Sequence, residues 1–251
     1  MILRDDEAVE LPTPTGPMRT CIFRPVAEGR YPGLVLFSEI FQITAPIRRM
    51  AALLAGNGYV VVVPEVYHEL ETAGTVLAYD TAGADRGNVD KITKELASYD
   101  GDARAVLDFL KAHPSCTGRL GVMGVCLGGH LAFRAAMNPD VSAGVCFYAT
   151  DIHTRSLGKG KDNTLDRMGE ISAEMLMAWG RQDPHVPREG RQLIYNAMND
   201  AGLDLQWHEF NGAHAFLRDE GPRYDPALAR LAFTLILELL GRKLGSGDLP
   251  H

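Results

Sequence analysis

Cys126 stands in Gly124-Val125-Cys126-Leu127-Gly128-Gly129, between an apolar run over residues 119–123 and apolar residues at helical spacing over 127–137. This spacing predicts a strand, a sharp turn and a helix, with the cysteine on the turn. Glycines at minus two and plus two let the strand and helix backbones pass closely while the turn residue takes strained angles. A thiol there faces the positive end of the helix dipole, which favours thiolate, the nucleophilic form. A cysteine is also often a small buried hydrophobe, so the pattern needs partners before it means chemistry.

The partners follow in order. Asp183 comes just after the apolar run 175–180, and His214 just after the run 205–210. An imidazole can take the thiol proton and later hand it to a leaving group; a carboxylate fixes its tautomer and balances the imidazolium. Asp151, one strand earlier, is the alternative acid. His208 falls inside the last apolar run and reads as a strand-face residue. His185 lies two residues from Asp183 and is expected to point elsewhere.

These residues need elements to hold them. Residues 8–32 read as an edge hairpin with a strand at 18–24. The runs 33–38 and 59–64 are continuously apolar, as parallel strands buried on both faces are. A further strand is expected at 143–149. Helices are expected at 45–55, 93–112, 127–137, 188–201 and 226–240, with a polar insertion at 150–172 that could serve as a lid and a loop without clear period at 65–92. Strands alternate with helices, so the fold class is α/β, a mostly parallel doubly wound sheet flanked by helices. Glu39, Cys126, Asp183 and His214 all follow strand ends, where such sheets collect functional groups. One domain is expected over 1–251, with a frayed tail at 245–251.

Composition narrows the function. The net charge is −7 without a basic run, which argues against nucleic acid. No apolar stretch is long enough to span a membrane, and the first residues lack the order of a signal peptide. Four cysteines (Cys21, Cys116, Cys126, Cys146) show neither metal-ligand spacing nor a paired framework, which suits a reducing cytoplasm. No metal or organic cofactor is expected, and the chain is expected to act as a monomer or homodimer.

The order nucleophile, acid, histidine is that of the α/β-hydrolase fold, and the chain resembles the dienelactone hydrolase family over nearly its whole length. Glu39-Ile40-Phe41 resembles the family's E-I-F motif, residues 124–129 its G-x-C-x-G-G elbow, 183–187 its D-x-x-V-P segment and 212–218 its G-x-H-x-F-x-R segment. The resemblance implies a hydrolase for small lactones and esters that carry a carboxylate. It implies a resting thiol held neutral near Glu39, and Arg218 on the substrate carboxylate. A second carboxylate-binding arginine should fall in the 80–90 loop, where Arg86 is the arginine present, shifted by about two residues; Asn88 stands where the family has an aromatic. The oxyanion hole is expected from the backbone amides of Leu127 and Ile40. A broader esterase or thioesterase, or a non-catalytic binder on the same scaffold, are the competing readings.

Cys126→Ala should abolish ester turnover without unfolding the chain, and Cys126→Ser should be severely impaired, because a serine hydroxyl is far harder to ionise than a thiol. A loss of only a few-fold in kcat would make Cys126 structural.

Overall fold

The structure, a computed structural model, describes residues 1–247. The strands are β1 (Leu3–Thr13), β2 (Gly16–Pro25), β3 (Tyr31–Phe37), β4 (Val60–Pro64), β5 (Cys116–Val125), β6 (Val141–Phe147), β7 (Glu174–Gly180) and β8 (Leu205–Phe210). They form one sheet in the order β1-β2-β4-β3-β5-β6-β7-β8. β1 and β2 are the expected edge hairpin, and β2 runs antiparallel to β4; the remaining neighbours are parallel.

The helices are α1 (Ala45–Gly56), α2 (Thr81–Thr93), α3 (Leu96–Ala112), α4 (Leu127–Ala135), α5 (Arg188–Asp200) and α6 (Pro226–Leu244). Every residue of β3, β4 and β7 is buried, which explains their unbroken apolar runs. On one face of the sheet α1 and α6 bury Ile47, Leu54, Ile236 and Leu240. On the other, α3, α4 and α5 bury Val106, Leu110, Leu131 and Ile194. The two apolar layers clamp the strands, so the strand ends are fixed points for the loops they carry.

Helix α2 departs from the expectation of a loop through 65–92. Its sequence is rich in glycine and polar residues, so it shows little apolar period. Tertiary contacts hold it instead. Asp80 accepts from the Gly83 amide at 2.8 Å as an N-cap, and a Cβ at Gly87 would lie 2.4 Å from the Ile40 carbonyl oxygen. Such close packing admits only glycine and places α2 against Ile40, just beyond the end of β3.

Helix α4 is buried along its whole length, His130 and Arg134 included. Arg134 donates to Asp100 at 2.7 and 2.8 Å and to Thr164 at 2.8 Å, while His130 Nε2 lies 2.8 Å from the same Thr164 hydroxyl. Thr164 and buried Asp162 belong to the insertion at 150–172, so these bonds tie the insertion to α4. Burial pushes the His130 pKa down to about 4, so it sits in the core as a neutral ring. Of the tail expected to fray, 248–251 lie outside the described residues; before them, the Ser246 carbonyl accepts from Arg119 at 2.7 Å.

The elbow glycines leave no room for side chains. A Cβ at Gly124 would sit 1.9 Å from the Gly128 carbonyl oxygen, and one at Gly128 would sit 2.1 Å from the Phe37 carbonyl oxygen. Backbone cannot yield as a side chain can. Gly128→Ala should therefore exceed the ~1–3 kcal/mol of ordinary overpacking and lower Tm by roughly 10 °C or more, or prevent folding. An unchanged thermal midpoint would show that the elbow has slack.

Candidate active site

Cys126 is the residue on the turn between β5 and α4, with φ 57° and ψ −124°. A non-glycine residue at such angles is uncommon and strained. Other positive-φ residues are Gln42, Tyr148, Asp151, Arg155 and Ala215, in segments that follow the C-terminal ends of β3, β6 and β8. Strain of ~1–3 kcal/mol per residue persists only where the surroundings over-determine it. Here it gathers around one cavity of about 350 Å³, lined by Cys126, His214, Glu39, Ile40 and Arg218 among others. That volume suits a small-molecule ligand.

His214 donates from Nδ1 to Asp183 Oδ2 at 2.7 Å, and both side chains are buried. Asp183 also accepts from the His185 amide at 2.8 Å, which fixes the carboxylate in place. Its pKa lies below the usual carboxylate value: burial opposes ionisation, but the hydrogen bond and charge of His214 outweigh it. Burial would lower the His214 pKa. The charge of Cys126 and the hydrogen bond and charge of Asp183 reverse this and push it up to about 10. The imidazole is therefore coupled to the thiol on one side and to Asp183 on the other. Asp151, the alternative acid, has different partners: Lys91 Nζ lies 3.0 and 3.1 Å from its two oxygens.

Glu39 is 2 % exposed. Tyr79 donates its hydroxyl proton to Glu39 Oε2 at 3.0 Å, and Arg218 Nη1 lies 3.7 Å from the same oxygen. Burial raises the Glu39 pKa, opposed by the charge of Arg218 and the Tyr79 hydrogen bond. The Arg218 guanidinium also stacks on the Tyr79 ring at 4.2 Å from its centroid and donates to the Glu220 carbonyl at 3.2 Å. It is thus a buried pocket residue, although Asp219 and Glu220 follow it in sequence.

Two expectations are corrected. Arg86 does not line the cavity; Glu71, buried behind it, engages its guanidinium through both oxygens. Residue spacing in the loop could not reveal this, because Glu71 is brought up by the fold of 65–80. His185 does not point away. Its ring meets that of His214 edge-on at 4.6 Å and lines the cavity, because the turn after Asp183 doubles back over the histidine. Tyr79 and Arg223 were not legible as site residues: neither belongs to a motif, and their loops carry no period. The insertion contributes Asp151, His153, Thr154 and Ser156 to the cavity wall, and α2 contributes Asn88 and Lys91.

Away from this cavity, His68, Glu69 and Asp102 converge closely enough to suggest a metal site. The buried Lys94 ammonium lies among them, 2.8 Å from Asp102 Oδ2 and 3.4 Å from His68 Nε2, and bonded to Glu69. The cluster's cation is this lysine, so its chemistry is structural.

Residues 18–244 match the model of the dienelactone hydrolase family. The chain belongs to that family. It is a carboxylic ester hydrolase with the α/β-hydrolase fold. A Saccharomyces cerevisiae protein provisionally named carboxymethylenebutenolidase is 41 % identical over 90 % of this chain and 87 % of its own length. The carboxymethylenebutenolidase of Pseudomonas putida is 30 % identical over 85 % of this chain and 87 % of its own. A crystal structure from Klebsiella pneumoniae, provisionally a dienelactone hydrolase, superposes with a TM-score of 0.84 at 23 % identity, covering 96 % of this chain and all of that one; it speaks to the fold. Among the described residues no helix is long and apolar enough to cross a membrane.

The coupling within the site is open to measurement. The charge of Cys126 is the largest influence raising the His214 pKa. In Cys126→Ala, the His214 ring followed by NMR should titrate well below about 10, because burial then opposes the Asp183 interaction alone. An unchanged midpoint would mean that thiol and imidazole are uncoupled.

Proposed function

We propose that this hydrolase cleaves lactones and esters that carry a carboxylate, with dienelactone as the type substrate, through Cys126, His214 and Asp183. The observation that carries the reading is the meeting, in one cavity, of a strained elbow cysteine, a histidine bonded to a buried aspartate, and a buried arginine. The names of the Pseudomonas relatives support the substrate class.

In this reading His214 takes the thiol proton, and the sulfur attacks the carbonyl carbon. The ring C–O bond breaks as the tetrahedral intermediate collapses, and His214 returns the proton to the leaving oxygen. Asp183 stays ionised throughout and balances the imidazolium. Water, deprotonated by His214, then cleaves the thioester and restores the thiol. The Leu127 amide is the first of α4, whose first-turn N–H groups lack helical acceptors. With the Ile40 amide it would receive the oxyanion, each donor contributing ~3 kcal/mol in the transition state.

Glu39 and Arg218 add the substrate dependence. A substrate carboxylate arriving at Arg218 competes with Glu39 for that guanidinium. A released Glu39 is a buried carboxylate with a raised proton affinity, able to relay the thiol proton to His214 as the thiolate forms without keeping it.

The test is a hydrolysis panel of carboxylated dienelactones against neutral aryl esters. Asp183→Asn should cost on the order of 10⁴ in kcat on both classes, and Asp151→Asn far less. Arg218→Ala should lower kcat/KM for the carboxylated lactone roughly ten- to a hundred-fold more than for the neutral ester. A wild-type enzyme without preference for the carboxylate, and an unchanged ratio in Arg218→Ala, would favour a broad esterase instead.

A further inference from the structure

The segment from His214 to α6 carries five charges close together: Arg218, Asp219, Glu220, Arg223 and Asp225, the last of which caps α6 by accepting from the Ala227 and Leu228 amides. The fold sorts them. Asp219 is gripped by Arg49 of α1 at 2.6 and 2.7 Å, and Glu220 lies 3.7 Å from the same guanidinium. Both acids thereby face α1, outside the cavity. Gly221, at φ +94°, and Pro222 then turn the chain so that Arg223 comes back to the cavity wall beside Arg218.

The cavity's charges can then be paired off. Arg218 faces Glu39, and Lys91 is held by both oxygens of Asp151. His153 and His185 are kept below their ordinary pKa by burial, so at pH 7 they are neutral. Arg223 is exposed and has no hydrogen bond or ion pair among the described residues, yet its charge reaches both Glu39 and His185. Among the described residues it is the lining cation without an ion pair of its own.

We propose that Arg223 is a specificity residue of this site, supplying the positive charge that a substrate carboxylate meets at the cavity mouth. It lines the cavity, whereas Arg86, engaged by Glu71, does not. This rests on the reading of the enzyme as a hydrolase of carboxylated lactones. The ligand class is an anion of dicarboxylate shape: a lactone or half-ester whose scissile carbonyl lies at Cys126 while its free carboxylate lies between Arg218 and Arg223. Arg218 and Arg223 then divide the work. Arg218 pairs with buried Glu39 at 3.7 Å, so its loss reaches turnover; Arg223 acts on Glu39 only at longer range, behind Arg218, Tyr79 and His214, so its loss reaches binding first.

The experiment has two arms. In the first, kcat and KM are measured for a carboxylated dienelactone and for p-nitrophenyl acetate in wild type, Arg223→Ala, Arg223→Lys and Arg230→Ala; Arg230 is an exposed arginine of α6 outside this cavity, and its variant carries the same change in net charge. Arg223→Ala should raise KM for the lactone about three- to ten-fold, as fits a partly solvated pair. Its kcat and all p-nitrophenyl acetate constants should hold, Arg223→Lys should restore much of the KM, and Arg230→Ala should match wild type. In the second arm, maleate binding is measured by calorimetry to Cys126→Ala with and without Arg223→Ala. Weaker binding without Arg223, lessening as salt is added, supports the assignment even if wild type hydrolyses no carboxylated lactone, in which case the substrate reading alone falls. Maleate binding indifferent to Arg223, or a lactone KM equally raised by Arg230→Ala, overturns it.

Discussion

The contact on which the rest depends is the passage of α4 beneath the ends of β3 and β5. Gly124 lies against the Gly128 carbonyl and Gly128 against the Phe37 carbonyl, closer than any Cβ allows. That approach forces the chain to reverse within one residue, which puts Cys126 at a positive φ. The reversal lifts the thiol out of the sheet and aims it at the cavity, while α4 stays buried behind it. An apolar helix alone would satisfy the packing. The buried Arg134 and His130 do more, because their hydrogen bonds to Thr164 fasten the insertion to the same helix. The elbow and the far wall of the cavity are thus built on one rigid element.

A second constraint is electrostatic. Glu39 is nearly fully buried, and an unpaired carboxylate there would be costly. Tyr79 and Arg218 share the task of holding it, and Tyr79 holds both at once, through its hydroxyl and its ring face. A buried ion pair of this kind is weak evidence for stability. Its better explanation is poise. The carboxylate has a raised proton affinity and a cationic partner 3.7 Å away rather than at hydrogen-bond distance.

The parts of this arrangement that the sequence reveals are those governed by local rules. Strands β3, β4 and β7 are legible because burial on both faces demands apolar residues throughout. The elbow is legible because only glycine fits beside it. The placement of Cys126, Asp183 and His214 just beyond strand ends is legible from the apolar runs that precede them, and the structure brings His214 to Asp183. Helix α2 is not legible, since its stability comes from an Asp80 cap and from glycines pressed on other backbone rather than from an apolar stripe. The destinies of Arg86, His185 and Arg223 are hidden for a related reason. Whether an arginine faces a cavity depends on which acid stands nearby in space. Glu71 takes Arg86, and Arg49 takes Asp219 away from Arg218.

This division between local and long-range control matches a division of labour in the site. The groups that would make and break bonds sit directly on strand ends and the elbow, where two packed layers leave little freedom. The groups that would recognise the substrate sit on α2, the insertion and the loop before α6, each held by ion pairs and caps that a single substitution can redirect. Exchanging Glu71 or Arg49 would change which cations face the cavity without touching Cys126, His214 or Asp183. On the proposed reading the same centre would serve different acyl groups through changes confined to its walls, and the distribution of acids around the arginines, more than the number of arginines, would set which anion is read.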